Sequence, residues 1–371
     1  MKIGVLTLPL HSNYGGILQA YALQTVLERM GHSVVVFNIE KEFPKLKWKL
    51  LPKRIVKKIL GMDSVIFKEW RDKRDFPIVD AALLEFRKQY LKERCLKSID
   101  EILNVDIDAI IVGSDQVWRP QYFCSMWKTG IEDAYLYFMR QKKMKKIAYA
   151  ASLGVDCWEA NSKDTLLIRD VAPLFNFISV REQSAVSLLN RYIGASAKVV
   201  LDPTLLLNEN DYLNLIKCED VKRESEICVY LLDPSKEKIL FVNKIAKERK
   251  LKPIFVNKID VKNSASAERR KKTSIESWLN AFASSDFVIT DSFHACVFSI
   301  IFEKQFVAIG NASRGLTRFN SLLETFGLRK NLIVDLNEYD NGNDWSVTCQ
   351  SREILKELKK ESLCFLKKAL E

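Results

Sequence analysis

One histidine placed between a buried strand and an apolar helix is the most informative residue of this 371-residue chain. In residues 287–302, FVITDSFHACVFSIIF, the apolar run stops at Asp291 and Ser292. His294 then opens a helix carrying Val297, Phe298, Ile300 and Ile301. An imidazole titrates near neutral pH and can give or take a proton. The free N–H groups and dipole of a helix start favour an anion, so Ser292, Phe293 and His294 form a candidate anion and proton-transfer turn. The plain alternative is a histidine that only caps its helix.

Two further turns have suitable chemistry. In residues 13–24, NYGGILQAYALQ, Asn13 and Tyr14 precede Gly15 and Gly16, which permit close backbone approach to a ligand. Gln19 lies on the first turns of the helix that follows. A tight turn explains the glycines equally well, and no GxxxxGK[ST] phosphate loop is present. In GSDQVW, residues 113–118, Ser114, Asp115 and Gln116 cluster just past an apolar run, where Asp115 is placed to activate or orient a hydroxyl, or to cap a helix. Guanidinium groups suit carboxylates and phosphates. Arg181 follows the FISV run directly, and Arg314 and Arg318 lie in NASRGLTRFN, residues 311–320. The cationic runs 140–146 and 269–272 read as solvated faces.

These turns require strands that end together. Residues 3–8 form a short apolar run, 17–30 carry helical spacing and 34–37 are again strand-like, a βαβ unit. The pattern continues with apolar runs at 108–112, 146–150, 177–180 and 198–201. A second series follows at 227–232, 253–256, 287–290 and 305–309. Strands without polar alternation, separated by helical text, imply an α/β fold with parallel sheets covered on both faces. The expected domains are 1–210, with a basic insertion at about 40–90, then 222–345, then a last helix at 351–371. The polar stretch 208–225 is the boundary.

Composition narrows the partners. At 47% hydrophobic and 28% charged residues the chain is globular, not disordered or fibrous. The longest apolar run, at 293–302, falls short of the roughly 20 residues that span a bilayer. The first residues read as strand and loop without a leader, so a cytoplasmic location is expected. Lys and Arg number 58 against 47 Asp and Glu, a net charge of +11. That favours an anionic partner: a phosphorylated metabolite, a nucleotide-sugar, nucleic acid or an anionic membrane. No nucleic-acid-binding motif is present, so no nucleic acid partner is expected. The eight cysteines include no CxxC pair and are expected to be reduced and mostly buried. His11, His32 and His294 show no ligand spacing with them, so no metal site is expected.

Taken in order, NYGGILQAYALQ, GSDQVW, YAASLG, SVRE, LDPTLLL and ITDSFHACVFSIIF resemble the polysaccharide pyruvyl transferase family, over residues 3 to 328. The resemblance implies a GT-B-like fold, two Rossmann-like domains facing a cleft, with the acceptor on the N-terminal side and the donor on the C-terminal side. It implies transfer of pyruvate from phosphoenolpyruvate to two hydroxyls of a sugar as a ketal, with release of phosphate, in surface polysaccharide synthesis. Phosphoenolpyruvate would be the donor substrate, with no cofactor and no metal. His294 would be the acid/base and Arg181 would help hold the donor. Some members carry Arg-Leu-His where this chain has Ser292-Phe293-His294. Arg314 or Arg318 is then the expected substitute for the absent arginine. Two rival readings keep the same fold: a glycosyltransferase using a nucleotide-sugar, and a non-catalytic sugar- or phosphate-binding protein. The basic stretch 41–60, interleaved with Trp48, Leu50, Leu51, Ile55 and Ile59, suggests docking on an anionic membrane, where a lipid-linked acceptor would be presented. A solvated helix covering the cleft is the alternative.

Overall fold

The computed structural model describes residues 1–216, 225–257, 261–310 and 316–371. Its first part runs β1 (Lys2–Leu6), α1 (Tyr14–Arg29), β2 (Ser33–Ile39), α2 (Leu51–Ile59), α3 (Lys68–Val79), α4 (Ala81–Tyr90), β3 (Glu93–Leu96) and β4 (Ala109–Val112). Then come α5 (Pro120–Trp127), β5 (Lys145–Ala151), α6 (Ser162–Val171), β6 (Phe177–Val180), α7 (Gln183–Ile193), β7 (Lys198–Val199) and the short α8 (Glu209–Leu213). The second part runs β8 (Glu226–Tyr230), α9 (Lys236–Arg249), β9 (Lys252–Phe255), α10 (Ile275–Ser284), β10 (Phe287–Thr290), α11 (Phe293–Ile301), β11 (Gln305–Ile309), α12 (Thr317–Thr325), β12 (Leu332–Ile333) and α13 (Cys349–Leu370).

Both sheets are parallel. The first has the order β3-β2-β1-β4-β5-β6-β7, and the second β12-β11-β10-β8-β9. Ile3 pairs with Val34 and Ala109, and Val288 with Cys228 and Phe306. These central strands are apolar on both faces because helices cover both. The strand order reverses between β1 and β4 in one sheet and between β8 and β10 in the other, and ligands of open α/β sheets bind at such points. Two Rossmann-like domains facing a cleft are therefore what the chain builds.

One apolar cluster runs from β1 and α1 through Leu205 and Tyr212 to Val288 and α11, so the two sheets share a core. The last helix returns to the first domain. Thr348 caps α13 by accepting from Ser351 N at 3.1 Å, Ser362 Oγ accepts from Leu201 N at 3.0 Å, and Lys145 Nζ donates to the Leu370 carbonyl at 2.9 Å. The insertion is helical, and α4 packs Phe86 and Tyr90 edge-on against Tyr21 of α1. The cysteines correct one expectation. Only Cys228 and Cys296 are buried, whereas Cys95, Cys157, Cys349 and Cys364 are exposed; Cys218 lies outside the described residues. Cys95 shows why, since β3 is the outermost strand of its sheet and only Leu96 of it is buried. Among the described residues no helix is long and apolar enough to cross a membrane.

Candidate active site

The turn after β4 is held from below. Gly113 sits at φ +123°, and a Cβ there would lie 2.1 Å from the Tyr149 carbonyl, so only glycine fits. The next residue is fixed on three sides. The Ser114 carbonyl accepts from Thr7 Oγ1 at 2.9 Å, and its N–H donates to Gln19 Oε1 at 3.2 Å. Its hydroxyl donates to the Ala150 carbonyl at 2.9 Å while accepting from Arg181 Nε at 2.8 Å. Gln19 completes the network by donating to Thr7 Oγ1 and to the Gly16 carbonyl, both at 3.0 Å. Asp115 then takes a left-handed conformation, φ +71°, and is almost fully buried.

The turn after β10 is held by a charge. Asp291 accepts from the backbone N–H groups of Leu232 and Asp233, at 2.5 and 3.1 Å, and from Lys238 Nζ at 2.6 Å. This ties the end of β10 to the loop after β8 across the reversal point. Ser292 and Asn13 are the N-cap residues of α11 and α1, and neither side chain caps its helix. Two helix starts thus present unsatisfied N–H groups to the same cleft. The domains meet closely here. A Cβ on Gly15 would lie 2.0 Å from His294 Nδ1, so the glycine makes room for the imidazole of the opposite domain. Beside it, Tyr14 stacks on Trp278 with centroids 5.8 Å apart and donates its hydroxyl to the Thr273 carbonyl at 2.7 Å.

The charged groups gather under this contact. Arg181 Nη2 lies 2.7 Å from Asp202 Oδ2, and its Nη1 lies 3.8 Å from Asp115 Oδ1. His294 Nε2 is 3.8 Å from the same Asp202 oxygen. Phe293 has the guanidinium carbons of Arg181 and Arg318 at 5.5 and 5.4 Å from its ring centroid, within cation–π range. Gln116 turns its amide oxygen to Arg318 Nη1 and Nη2, at 3.3 and 3.2 Å. His294 Nε2 and Arg181 Nη1 are buried without a hydrogen-bond partner among the described residues.

Burial lowers the His294 pKa below its ordinary value near 6.5; Asp202 and Asp115 oppose this, and Arg181 and Arg318 add to it. Burial pushes Asp115 upward, but Arg181, His294 and Arg318 together outweigh it and hold the carboxyl below the usual range. Burial raises Glu182, whose carboxylate accepts from Ser152, and the nearby arginines only partly offset it. The resting site therefore holds a neutral imidazole next to an ionised Asp115.

A cavity of about 180 Å³ opens over the cluster, with Asn13, Gly15, Asp115, Gln116, Ser292, Phe293, His294 and Arg318 in its wall. A second cavity, of about 210 Å³, lies beyond Phe293 and is lined by Arg181, Glu182, Asp202, Arg318 and apolar side chains that include Leu358 of α13. Several expected contacts lie elsewhere. Gln19 and Ser114 are fully buried and sit beneath the cleft as braces, because their polar atoms are spent on the protein. Gly16 likewise gives its carbonyl to Gln19, and Tyr14 joins the domains. Arg314 lies outside the described residues.

Three acids escaped the sequence reading. Asp202 was legible only as the end of a strand, Asp291 as the end of another, and Glu182 as the neighbour of Arg181. A carboxylate placed just past an apolar run, the pattern that marked Asp115, is shared by all three. Among the described residues no group of three or more His, Cys, Asp or Glu is placed to hold a metal ion.

The chain is similar in structure to UDP-GlcNAc 2-epimerase from Neisseria meningitidis bound to UDP-GlcNAc. The identity is 11%, the coverage is 97% of this chain and 100% of that one, and the TM-score is 0.46. For the Methanocaldococcus jannaschii UDP-GlcNAc 2-epimerase, in complex with UDP-GlcNAc and UDP, the values are 13%, 98%, 93% and 0.47. For Arabidopsis thaliana UGT89C1 complexed with UDP they are 11%, 100%, 95% and 0.48. No curated protein matches the chain in sequence. The family model described as polysaccharide pyruvyl transferase matches residues 13–313, which span the facing turns, Arg181, Asp202 and His294. The chain belongs to the polysaccharide pyruvyl transferase family.

Proposed function

We propose that this chain transfers the enolpyruvyl carbons of phosphoenolpyruvate to two hydroxyls of one sugar, forming a cyclic ketal and releasing phosphate. The observation that carries the reading is the convergence of His294, Asp115, Arg181 and Arg318 in a buried cleft that also receives two uncapped helix starts. Phosphoenolpyruvate is strongly anionic, and its C2 is not electrophilic until the methylene carbon gains a proton. Fixed guanidinium charge and helix N–H groups suit its carboxylate and phosphate. A phosphate dianion next to His294 opposes the effect of burial on the ring, so the donor and a proton bind together.

His294 then gives its proton to the methylene carbon. One sugar hydroxyl adds to C2, and its proton restores the imidazolium. The second hydroxyl displaces phosphate to close the ring, and its proton leaves with the phosphate through Asp115. Positioned charge lowers the barrier because it needs no reorganisation. On this reading the acceptor is a sugar of a surface polysaccharide assembled in the cytoplasm.

The test incubates the full chain with phosphoenolpyruvate and a panel of model glycosides, read by phosphate release and product mass. Phosphate release matched by a ketal product supports the proposal. No release with any acceptor, together with thermal stabilisation by nucleotide-sugars alone, overturns it in favour of a glycosyltransferase.

A further inference from the structure

From the insertion we infer a membrane-docking surface, built from α2 and its flanks, that seats the protein on an anionic bilayer. The inference does not depend on the chemistry assigned to the cleft. Residues 43–62 hold seven Lys or Arg and no acidic residue. At about 100° per residue, Leu51, Pro52, Ile55, Val56, Ile59 and the capping Leu60 share one half of α2, and Lys53, Arg54, Lys57 and Lys58 the other. No residue of α2 is buried. Ile59 and Leu60 are 78% and 69% exposed, so no other part of the described chain covers the apolar half. Trp48, at 69% exposed, precedes the helix, and Phe67 and Trp70 follow it as an exposed stacked pair with centroids 5.3 Å apart.

A helix with an apolar half, a lysine-rich half and aromatic residues at its margins is suited to lie in the headgroup region of anionic lipid. A second copy of the chain would cover the apolar half but leave the lysine half without a counter-charge. Nucleic acid would neutralise the lysines but leave the apolar half wet.

The surface is also rigidly mounted. Arg54 forms a two-point ion pair with the nearly buried Glu69, at 2.6 and 2.8 Å. Farther along, Asp63 accepts from Ser264 N at 2.9 Å, Lys272 Nζ lies 2.6 Å from Asp80, and Arg270 pairs with Asp75. The same segment of the second domain ends at Thr273, the acceptor for Tyr14. Docking would therefore fix the orientation of the cleft relative to the membrane.

The test is co-sedimentation of the full chain with phosphatidylcholine vesicles, with and without phosphatidylglycerol. Two variants accompany it, Ile55→Asn/Ile59→Asn/Leu60→Asn and Lys53→Glu/Lys57→Glu/Lys58→Glu. All six side chains are exposed, so thermal melting should match the parent. The parent should bind the phosphatidylglycerol vesicles, and each variant should bind at least about tenfold more weakly, with binding of the parent weakening as salt rises. Parent protein that stays in the supernatant overturns the inference, as does equal binding to neutral vesicles or either variant binding like the parent. A parent dimer that the apolar variant converts to monomer would assign the surface to self-association and overturn it too.

Discussion

The two points at which the sheets reverse face each other, yet they are built differently. Between β1 and β4 the turn is held mainly by neutral groups, with Thr7, Gln19 and Ser114 bonded to one another and to backbone, and Arg181 as the charged partner of Ser114. Between β8 and β10 a carboxylate leads, Asp291 held by Lys238 and two N–H groups, with the Thr290 hydroxyl bridging the Tyr230 carbonyl and Ser292 N beside it. The neutral turn lies under the charged cluster, where a further ion would change the balance among Asp115, Arg181 and His294. The ionic turn keeps its charge compensated by Lys238, whose pairing with Asp291 leaves His294 to the acids of the other domain. Neither domain holds the whole site. The second brings His294 and Arg318, the first brings Asp115, Arg181 and Asp202, and only their contact completes it.

The largest break is His294→Gln, which removes the proton carrier from the second domain and leaves the braces of both. Phosphate release should fall by about 10²–10⁴-fold with the fold retained; near-parent turnover would remove His294 from the mechanism. Next is Gly15→Ala. Its methyl would meet the imidazole at 2.0 Å, so His294 or the domain contact must shift. A loss of about 10²-fold in turnover is expected, larger than the loss from Gly16→Ala, and equal losses would dissolve the distinction between the two glycines. Asp291→Asn tests the ionic turn. It keeps an acceptor for one of the two N–H groups, turns an NH2 toward the other and leaves Lys238 only the Asp233 carbonyl, at a cost of about 2 kcal/mol in urea unfolding. Tyr14→Phe keeps the stack on Trp278 and loses only the bond to Thr273, about 1 kcal/mol, with turnover little changed.

Much of this was legible in the sequence because buried parallel strands are written without alternation, and their ends are marked by Gly-Ser-Asp, Asp-Ser and Arg-Glu. His294, Asp115 and Arg181 follow from those ends. Gln19 was read as a ligand group because a polar residue early in a helix looks the same whether it faces solvent or a neighbouring turn, and its partners Thr7 and Ser114 are tertiary. Gly15 was legible as a residue needing space, but what fills the space, the imidazole of the other domain, is set by folding. The resting protonation state of His294 is likewise set by folding. The sequence carries no sign of how deeply His294 is buried or that two guanidinium groups share its cavity.

The resting state of His294 yields the smallest effect, and it separates the two domains by pH. Burial lowers the His294 pKa below about 6.5, with the acids of the first domain opposing and the arginines assisting. As pH falls through the ordinary histidine range, the unfolded chain takes up a proton that the folded chain refuses. Stability is therefore lost downward from about pH 6.5 until the folded pKa is passed, by less than about 1.4 kcal/mol per pH unit. Asp115 and other acids add their own losses farther down, so the measurement is the difference between parent and His294→Gln. Melting temperature should fall less in the variant than in the parent between about pH 7.5 and 5.5. Sulfate, whose charge does not change in that range, should stabilise the parent more at the lower pH, because an anion beside the ring favours the imidazolium. Parallel melting curves for the two proteins would show that the imidazole titrates as it does in water, and the account of a resting site kept neutral by burial would fail.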